Sequence, residues 1–221
     1  MLADTEQLIR YEHRWPVAIA ILVVIGLLAL LPGRIKLFAD WFPYAIGILE
    51  ITPIIAVELT KGNPRWIRFE RIVTLLFVVL IVVGTIVNLA SLIQKMIQHS
   101  TEIGGLQLFA SSIAVWTTNI LAFSMLYWQI DSGGSEARMN HIGTHPDFLF
   151  SQQGAPAEVV PPDWRPDFVD YLYLGFTTAT AFSPTDVLPM TSRGKLLMML
   201  NSSISLLTLV VVAARAINIL G

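Results

Sequence analysis

Cysteine is absent from this chain, and charged residues are scarce. Without cysteine, disulfides, thiolate metal sites and thiol nucleophiles are excluded. Charged side chains make up 14% of the 221 residues, against about 25% in an average soluble domain. The net charge of −2 argues against nucleic acid as a partner, since nothing provides a basic field. No nucleophile–base pair, glycine-rich phosphate loop or dinucleotide fingerprint occurs, so we expect neither an enzyme nor a bound cofactor.

Apolar residues are abundant, and they are clustered. They make up 54% of the chain, and the mean hydropathy is +0.65. The run 17–31 is unbroken, and 72–92 is interrupted only by hydroxyl and amide side chains. About 20 mostly apolar residues span the hydrocarbon core of a bilayer. The sequence therefore predicts a multi-pass protein of the cell (inner or plasma) membrane, with the lipid bilayer as its main partner.

The apolar runs predict an all-α fold with about five transmembrane helices and one short re-entrant helix. A polar N-terminal segment, 1–15, precedes four transmembrane helices within 16–130. The third of these helices is expected to begin near Ile72, after a basic link at 60–71 that contains a turn signal.

The last third of the chain breaks this pattern. Residues 131–166 are rich in glycine, proline and acids, and we expect a solvent-exposed loop there. The segment 167–186 contains an apolar stretch that is too short to span, which is typical of a re-entrant helix. The last transmembrane helix is predicted at 194–220.

Basic residues favour one orientation of these helices. Eight lysines and arginines near helix ends fall on the side of the N-terminus, and three fall on the opposite side. Because cytoplasmic segments carry the excess of positive charge, the N-terminus and the 131–193 region are predicted to be cytoplasmic.

Hydroxyl residues and an acid follow the short apolar segment. The polarity of a re-entrant helix favours a cation near its C-terminal end. The candidate ion-pathway residues at this place are Thr178, Thr180, Ser183, Pro184, Thr185 and Asp186. A second interpretation stays open, in which these residues only connect two helices and Thr191 or Ser192 caps the last helix.

The stretch 168–215 resembles the pore module of tetrameric potassium channels. In that family a short pore helix leads into a selectivity filter, and an acid, a proline, a threonine and a Gly-basic pair follow. The residues that match this tail are Asp186, Pro189, Thr191, Gly194 and Lys195. The resemblance implies a homo-oligomer around an ion pathway. The filter itself differs, since 181–185 holds a proline and no glycine, so potassium selectivity is not implied.

A second resemblance extends over nearly the whole chain. The order of helices, the loop and the final helix is similar to that of a bacterial inner-membrane family known only as a domain of unknown function. The matching residues are Trp128, Asp167, Tyr171, Tyr173, Phe176, Ser183, Asp186, Ser192, Arg193 and Asn218. This resemblance implies an architecture and no particular activity.

Four polar residues within the predicted helices are further candidates. Glu50 lies near the middle of the second helix, where an ionisable side chain marks a functional site by default. Its alternative role is an ion pair with Arg215. Asn201 and Ser205 share one helical face, which lines a pathway or forms hydrogen bonds to neighbouring helices. Two histidines near Asp147 are too weak a pattern for a metal site, and none is predicted.

Two functions follow from these observations. The first is a non-enzymatic membrane protein with an ion-channel-like pore loop, which provides an ion or solute pathway that is not potassium-selective. The alternative is a structural membrane protein without transport activity, whose 131–166 loop binds a partner.

Overall fold

The computed structural model describes residues 12–30, 41–97, 105–140, 145–161, 164–180 and 186–220, and it is mostly helical. Seven α-helices and two short strands form in the order α1 Trp15–Leu30, α2 Phe42–Leu59, α3 Pro64–Ile97, α4 Gly105–Ile130, α5 Ser135–Met139, β1 Phe148–Phe150, α6 Phe168–Ala179, β2 Val187–Pro189 and α7 Ser192–Leu220. The all-α prediction is therefore confirmed, apart from one antiparallel strand pair that joins Phe148 to Pro189 and Phe150 to Val187.

Helix α4 is the central element of the bundle. It packs against α1, α3, α6 and α7. Aromatic side chains at its C-terminal end are fully buried, among them Phe123, Tyr127 and Trp128. Phe168 and Tyr171 of α6 are buried with them in the same hydrophobic core. Aromatic side chains of both helices therefore pack together where α4 ends and α6 begins.

Three helices are long and apolar enough to cross a membrane, namely Pro64–Ala90, Phe109–Gly133 and Ser192–Ala213. A fourth apolar helix, Trp15–Ala29, is shorter. Large apolar side chains cover much of their outer surface; in α7, Leu196 and Met199 are each 64% exposed. This exposure fits contact with lipid, in which apolar side chains need no cover from water.

The predicted basic link at 60–71 is largely helical, which corrects the expected start of the third helix. Helix α3 begins at Pro64, eight residues before Ile72. Proline is tolerated in the first helical turn, and the Asn63 side chain accepts a hydrogen bond from the Arg65 backbone N–H at 3.0 Å. The first turns are amphipathic, with Ile67 buried and Arg65 exposed. The helix therefore begins before the apolar run that starts at Ile72.

The 131–166 segment differs from the predicted solvent-exposed loop. It contains 3-10 turns at Asp131–Gly133 and Ser151–Gly154, together with α5 and β1. Phe148 and Phe150 point inward while Leu149 between them is exposed, because successive side chains of a strand face opposite sides. The buried polar side chains Asp131, Arg138 and Asp147 form hydrogen bonds within the protein, so this part of the chain is packed.

The last two helices agree with the predicted elements, with small shifts at their ends. Helix α6 begins at Phe168, after Asp167, whose side chain accepts hydrogen bonds from two backbone N–H groups of the first turn. Helix α7 begins at Ser192, and the Thr191 hydroxyl accepts a hydrogen bond from the Gly194 backbone N–H at 3.2 Å. The predicted cap by Thr191 is thereby confirmed.

The close approach of α6 to α4 depends on Gly175. A Cβ atom at this position would lie 2.2 Å from Ser124 Oγ and 3.1 Å from the Ile120 carbonyl oxygen. We expect Gly175→Val to lower the free energy of unfolding by about 1–3 kcal/mol through overpacking, as measured by thermal unfolding in detergent. The matched control is Gly154→Val, since a Cβ atom at Gly154 would meet nothing within 4 Å. Equal effects of the two substitutions would contradict the prediction.

Candidate functional site

The start of α6 is held at the end of the bundle where α4 ends. The Phe168 backbone N–H donates to Glu12 Oε1 at 3.1 Å. The Trp128 indole N–H donates to the other oxygen of the same carboxylate at 2.9 Å. The rings of Phe168 and Trp128 meet edge to face, with centroids 6.2 Å apart. The N-terminal segment, α4 and α6 therefore meet around one carboxylate.

From this end, α6 runs inward between α4 and α7. Its twelve residues correspond to about 18 Å of helix, too short to cross a bilayer. The Gly175 carbonyl accepts a hydrogen bond from Asn201 Nδ2 at 3.3 Å. One turn further in, the Thr178 carbonyl accepts from the Ser202 hydroxyl at 2.9 Å. Both donors lie nine or more residues inside α7, so the far end of α6 is deep in the bundle.

The chain then returns to the end from which α6 started. Strand β2 pairs with β1, and the Asp186 carbonyl accepts a hydrogen bond from the Ser151 backbone N–H at 3.0 Å. The Tyr173 hydroxyl donates to Asp186 Oδ2 at 3.1 Å. Entry and exit on one side, with a short helix between them, is the path expected of a re-entrant segment.

The structure separates the predicted pathway residues into four groups, of which Thr178 is described last. Ser183, Pro184 and Thr185 lie outside the described residues. Asp186 is exposed, close to Tyr173. The Thr180 hydroxyl donates to the Phe176 carbonyl of its own helix at 3.0 Å.

Thr178 is in a different environment. Its side chain is 2% exposed, and its hydroxyl oxygen has no hydrogen-bond partner in the described part of the chain. Hydroxyl groups that are buried in this way are usually hydrogen-bonded. Thr178 therefore retains an unused donor and acceptor at the inner end of α6.

Asn201 and Ser205 are not exposed to a pathway within the single chain. Both side chains are fully buried, as is Asn119 of α4. Asn119 Nδ2 donates to Asn201 Oδ1 at 2.8 Å and to Ser205 Oγ at 3.0 Å. Asn201 Nδ2 also donates to the Tyr127 hydroxyl at 3.3 Å. The structure thus agrees with the interpretation of these residues as hydrogen-bonding contacts between helices.

Glu50 is buried between α2 and α3. Its carboxylate accepts a hydrogen bond from the Thr74 hydroxyl at 3.2 Å, and its side chain is 1% exposed. Pro53 lies three residues further along the same helix. The Arg215 side chain lies outside the described ones, so the predicted ion pair of Glu50 with Arg215 stays a prediction. Glu50 remains a candidate, with Thr74 as its observed partner.

A buried polar network at the end of the bundle was not identified from the sequence. At its centre is Asp131, directly after α4 and 1% exposed. Asp131 Oδ1 accepts from the backbone N–H groups of Asp147 at 2.7 Å and Phe148 at 3.2 Å. Asp131 Oδ2 accepts from the Tyr171 hydroxyl. One carboxylate therefore joins α4, the chain before β1, and α6.

Arg138 of α5 completes this network. Its Nη1 donates to the carbonyl oxygens of Trp128 at 2.7 Å and Asp131 at 2.9 Å, at the C-terminal end of α4, where carbonyl groups lack partners within the helix. Its guanidinium lies over the Tyr171 ring, 4.9 Å from the centroid, and 3.7 Å from the Glu12 carboxylate. The cation is therefore balanced by a carboxylate and an aromatic face.

A second buried arginine, Arg14, holds the N-terminal segment. Its Nε donates to Glu70 of α3 at 3.3 Å, and both side chains are 1% exposed. Its guanidinium lies 5.0 Å from the Trp128 ring centroid. Its backbone N–H donates to Glu58 at the end of α2 at 2.9 Å. The N-terminal segment, the link between α2 and α3, and the 131–193 region therefore meet at one end of the bundle.

Asp147 is bound by residues at the start of α7. Its carboxylate accepts from Arg193 Nε at 2.6 Å and from the Thr191 hydroxyl. Arg193 also donates to the Ile130 carbonyl at 3.2 Å. Among the residues that the structure describes, no three His, Cys, Asp or Glu side chains are grouped as a metal ion would require. His141 lies outside the described residues, so the weak His141–His145–Asp147 pattern is covered only in part.

The sequence carried a signal for part of this network. Tyr171 and Arg193 belong to the residues that match the family of unknown function, together with Trp128 and Asp167. In the structure these residues contact Asp131, Asp147, Glu12 and the first turn of α6, respectively. No pattern in the sequence pointed to Glu12, Arg14 or Arg138, because Glu12 and Arg14 have partners 44 to 156 residues away, and Arg138 itself lies in a segment expected to be a loop.

Comparisons with known proteins do not assign this chain to a family. No protein-family model, no curated protein and no solved structure matches the chain. Both resemblances from the sequence therefore remain expectations.

The Tyr171 hydroxyl provides a test of the buried network. In Tyr171→Phe, the buried Asp131 Oδ2 loses the donor that satisfies it. We expect the free energy of unfolding to fall by about 1–3 kcal/mol, the cost of an unsatisfied buried acceptor. The matched control is Tyr173→Phe, since Tyr173 is 50% exposed and water can replace its bond to Asp186. Chemical unfolding in detergent compares the two, and an equal loss of stability would refute the assignment.

Glu12 makes the stability of the fold depend on pH. Burial raises the pKa of Glu12 above its ordinary value of 4.5, and the nearby Arg138 opposes this only in part. The folded protein then binds a proton more tightly than the unfolded chain, so Glu12 destabilises the fold increasingly as pH rises through and above 4.5. We expect the unfolding midpoint of the wild type to fall, relative to Glu12→Gln, as the pH rises above 4.5. The exposed Glu158→Gln should follow the wild type, and parallel curves for all three proteins would contradict the prediction.

Proposed function

We propose that this chain is a non-enzymatic, multi-pass membrane protein in which α4, α6 and α7 form the pore-loop module of an ion or solute pathway. The observation that carries the proposal is the course of α6. A helix too short to span enters between two helices that are long enough to span, and the chain returns to the side of entry. Irregular backbone inside a membrane is tolerated where it is enclosed by protein or lines water.

The proposed topology has about five spans. The three long apolar helices are joined by α1 and α2, which pack against each other and flank the bundle. Contacts of Arg14 with Glu58 and of Arg71 with Gly133 bring alternate helix ends to one side, as an up-and-down topology requires. The excess of basic residues supports a cytoplasmic position for this side in the cell membrane.

The inner end of α6 supports a cation-related pathway. Thr177, Thr178 and Thr180 gather there, and the helix polarity makes a C-terminal end attractive for cations. The Thr178 hydroxyl has no hydrogen-bond partner among the described residues, so its oxygen is the one best suited to bind a cation in the pathway. Pro184 is incompatible with a ladder of backbone carbonyls, so the pathway is proposed without potassium selectivity.

The pathway is proposed to form between copies of the chain. In one chain, Tyr171, Leu174 and Thr178 of α6 face α4 and α7 and are buried. The opposite face keeps Tyr173 and Phe176 about half exposed. A symmetric oligomer, as the resemblance to tetrameric channels implies, would bring the copies of Asp186 around one axis.

A structural role without transport is the second candidate. The bonds of Asn119, Asn201 and Ser205 within one chain favour it, because these amides and hydroxyls are used to hold helices together. In this case the packed 131–166 region presents a surface to a partner protein.

Flux through liposomes distinguishes the two candidates. Purified wild-type protein is expected to conduct Na⁺ and K⁺ at similar rates, and Asp186→Ala should reduce this flux several-fold because it removes a carboxylate at the mouth of the pathway. The control is Glu158→Ala, which removes an exposed carboxylate outside the module. Folded wild type that conducts no more than empty liposomes would favour the structural role.

A further inference from the structure

A cleft of about 270 Å³ lies beside the buried network, on the outside of α3. Its walls are the first turns of α3, the C-terminal end of α4 and the residues that lead into α5. The candidate spans Pro64–Ala90 and Phe109–Gly133 begin and end at these walls. In the topology proposed above, the cleft therefore lies at the level where the polar headgroups of a bilayer meet the protein.

Charges of both signs line this cleft. Arg68 and Arg71 come from α3, and Glu70 and Glu136 are the acids. Arg71 is held in place, since its Nη1 donates to the Gly133 carbonyl at 2.5 Å. Gly134 makes room for it, because a Cβ atom there would lie 3.2 Å from Arg71 Nη1 and the backbone has a φ of +103°. The site is thus built around a fixed guanidinium.

Glu70 has acceptor capacity that the protein does not use. Its side chain is 1% exposed and lines the cleft. Arg14 Nε lies 3.3 Å from both carboxylate oxygens and donates a hydrogen bond to Oε2, whereas Oε1 is paired with it by charge alone and has no hydrogen bond from any described residue. A buried carboxylate oxygen without a donor is costly, and a ligand that brings a donor removes this cost.

We propose that the cleft binds the headgroup of a zwitterionic phospholipid with a primary ammonium, of the phosphatidylethanolamine type. The ammonium donates to Glu70 Oε1, and the phosphate pairs with Arg68 and Arg71, whose guanidinium groups suit phosphate oxygens. The acids disfavour an anionic headgroup, and the arginines disfavour a simple cation. A quaternary ammonium has no N–H to donate, so phosphatidylcholine fits the site less well.

The proposal does not depend on the proposed pathway, because the cleft is formed by α3, α4 and α5 and includes no residue of α6. It can therefore fail or hold independently of any flux measurement.

Lipid binding to the purified full-length protein tests the proposal. Short-chain phosphatidylethanolamine and phosphatidylcholine are titrated in detergent, and bound lipid is counted by native mass spectrometry. Wild type is expected to prefer phosphatidylethanolamine roughly tenfold, as one charge-assisted hydrogen bond allows. Equal binding of the two lipids would overturn the proposal. Competition by soluble glycerophosphoethanolamine at the same concentration as the lipid would overturn the assignment to a membrane lipid.

Substitutions locate the site. Arg68→Gln should weaken the binding of both lipids, because it removes a side chain that pairs with the phosphate. Arg65→Gln is the control, since Arg65 lies on the same helix outside the cleft. Glu70→Gln should abolish the preference and leave phosphatidylcholine binding unchanged. Glu70→Gln removes the charged partner of Arg14 and could prevent folding. In that case the comparison of Arg68→Gln with Arg65→Gln still shows whether the lipid binds in this cleft. Equal effects of Arg68→Gln and Arg65→Gln on lipid binding would contradict the assignment of the lipid to this cleft.

Discussion

The carboxylate of Asp131 is the interaction on which the rest of the structure depends. It lies at the end of α4 and is satisfied by Tyr171 from α6 and by two backbone N–H groups next to β1. A buried charge is tolerated only when donors surround it. The donors must therefore keep their places, and they set where α6 begins and where the strand pair lies. Arg138 extends this constraint, because it binds the end of α4 and lies over the Tyr171 ring.

The same constraint connects the fold to the proposed function. With both ends of its path held on one side of the bundle, α6 has only the space between α4 and α7 to enter. Gly175 allows the close approach, and the Asn201 and Ser202 side chains bind its carbonyl oxygens at depth. Contacts of this kind hold the inner end of α6 at a defined position, which the proposed pathway between subunits needs. The proposed lipid cleft lies at the same end of the bundle, where Glu70 is ion-paired with Arg14 and its Oε1 has no hydrogen bond from any described residue.

Much of the helical architecture was predictable, because apolar runs and capping residues are local signals. Helix α1 begins within a residue of position 16, the predicted start of the transmembrane helices, and α7 is capped by Thr191, one of the two residues predicted for this role. The start of α3 was missed, since Arg65 and Arg68 hid an amphipathic turn whose apolar face includes Ile67. The packing of the first part of the 131–166 segment was missed, because it depends on distant partners such as Tyr171 and Arg193, whereas 151–161 is mostly exposed as expected. The count of five spans, the orientation and the pore-loop function remain predictions.

By itself, the sequence determined that the chain is helical, rich in spanning segments, without thiol chemistry, and interrupted by one helix too short to span. Hydrophobicity and length decide these properties, and both can be read along the chain. Only the tertiary structure decided which polar residues matter. It placed Glu12, Arg14 and Asp131 together in the interior, and it used Asn201 to join helices. The physical reason is that a buried charge or amide takes its role from the partners around it, and those partners come from residues far apart in the chain.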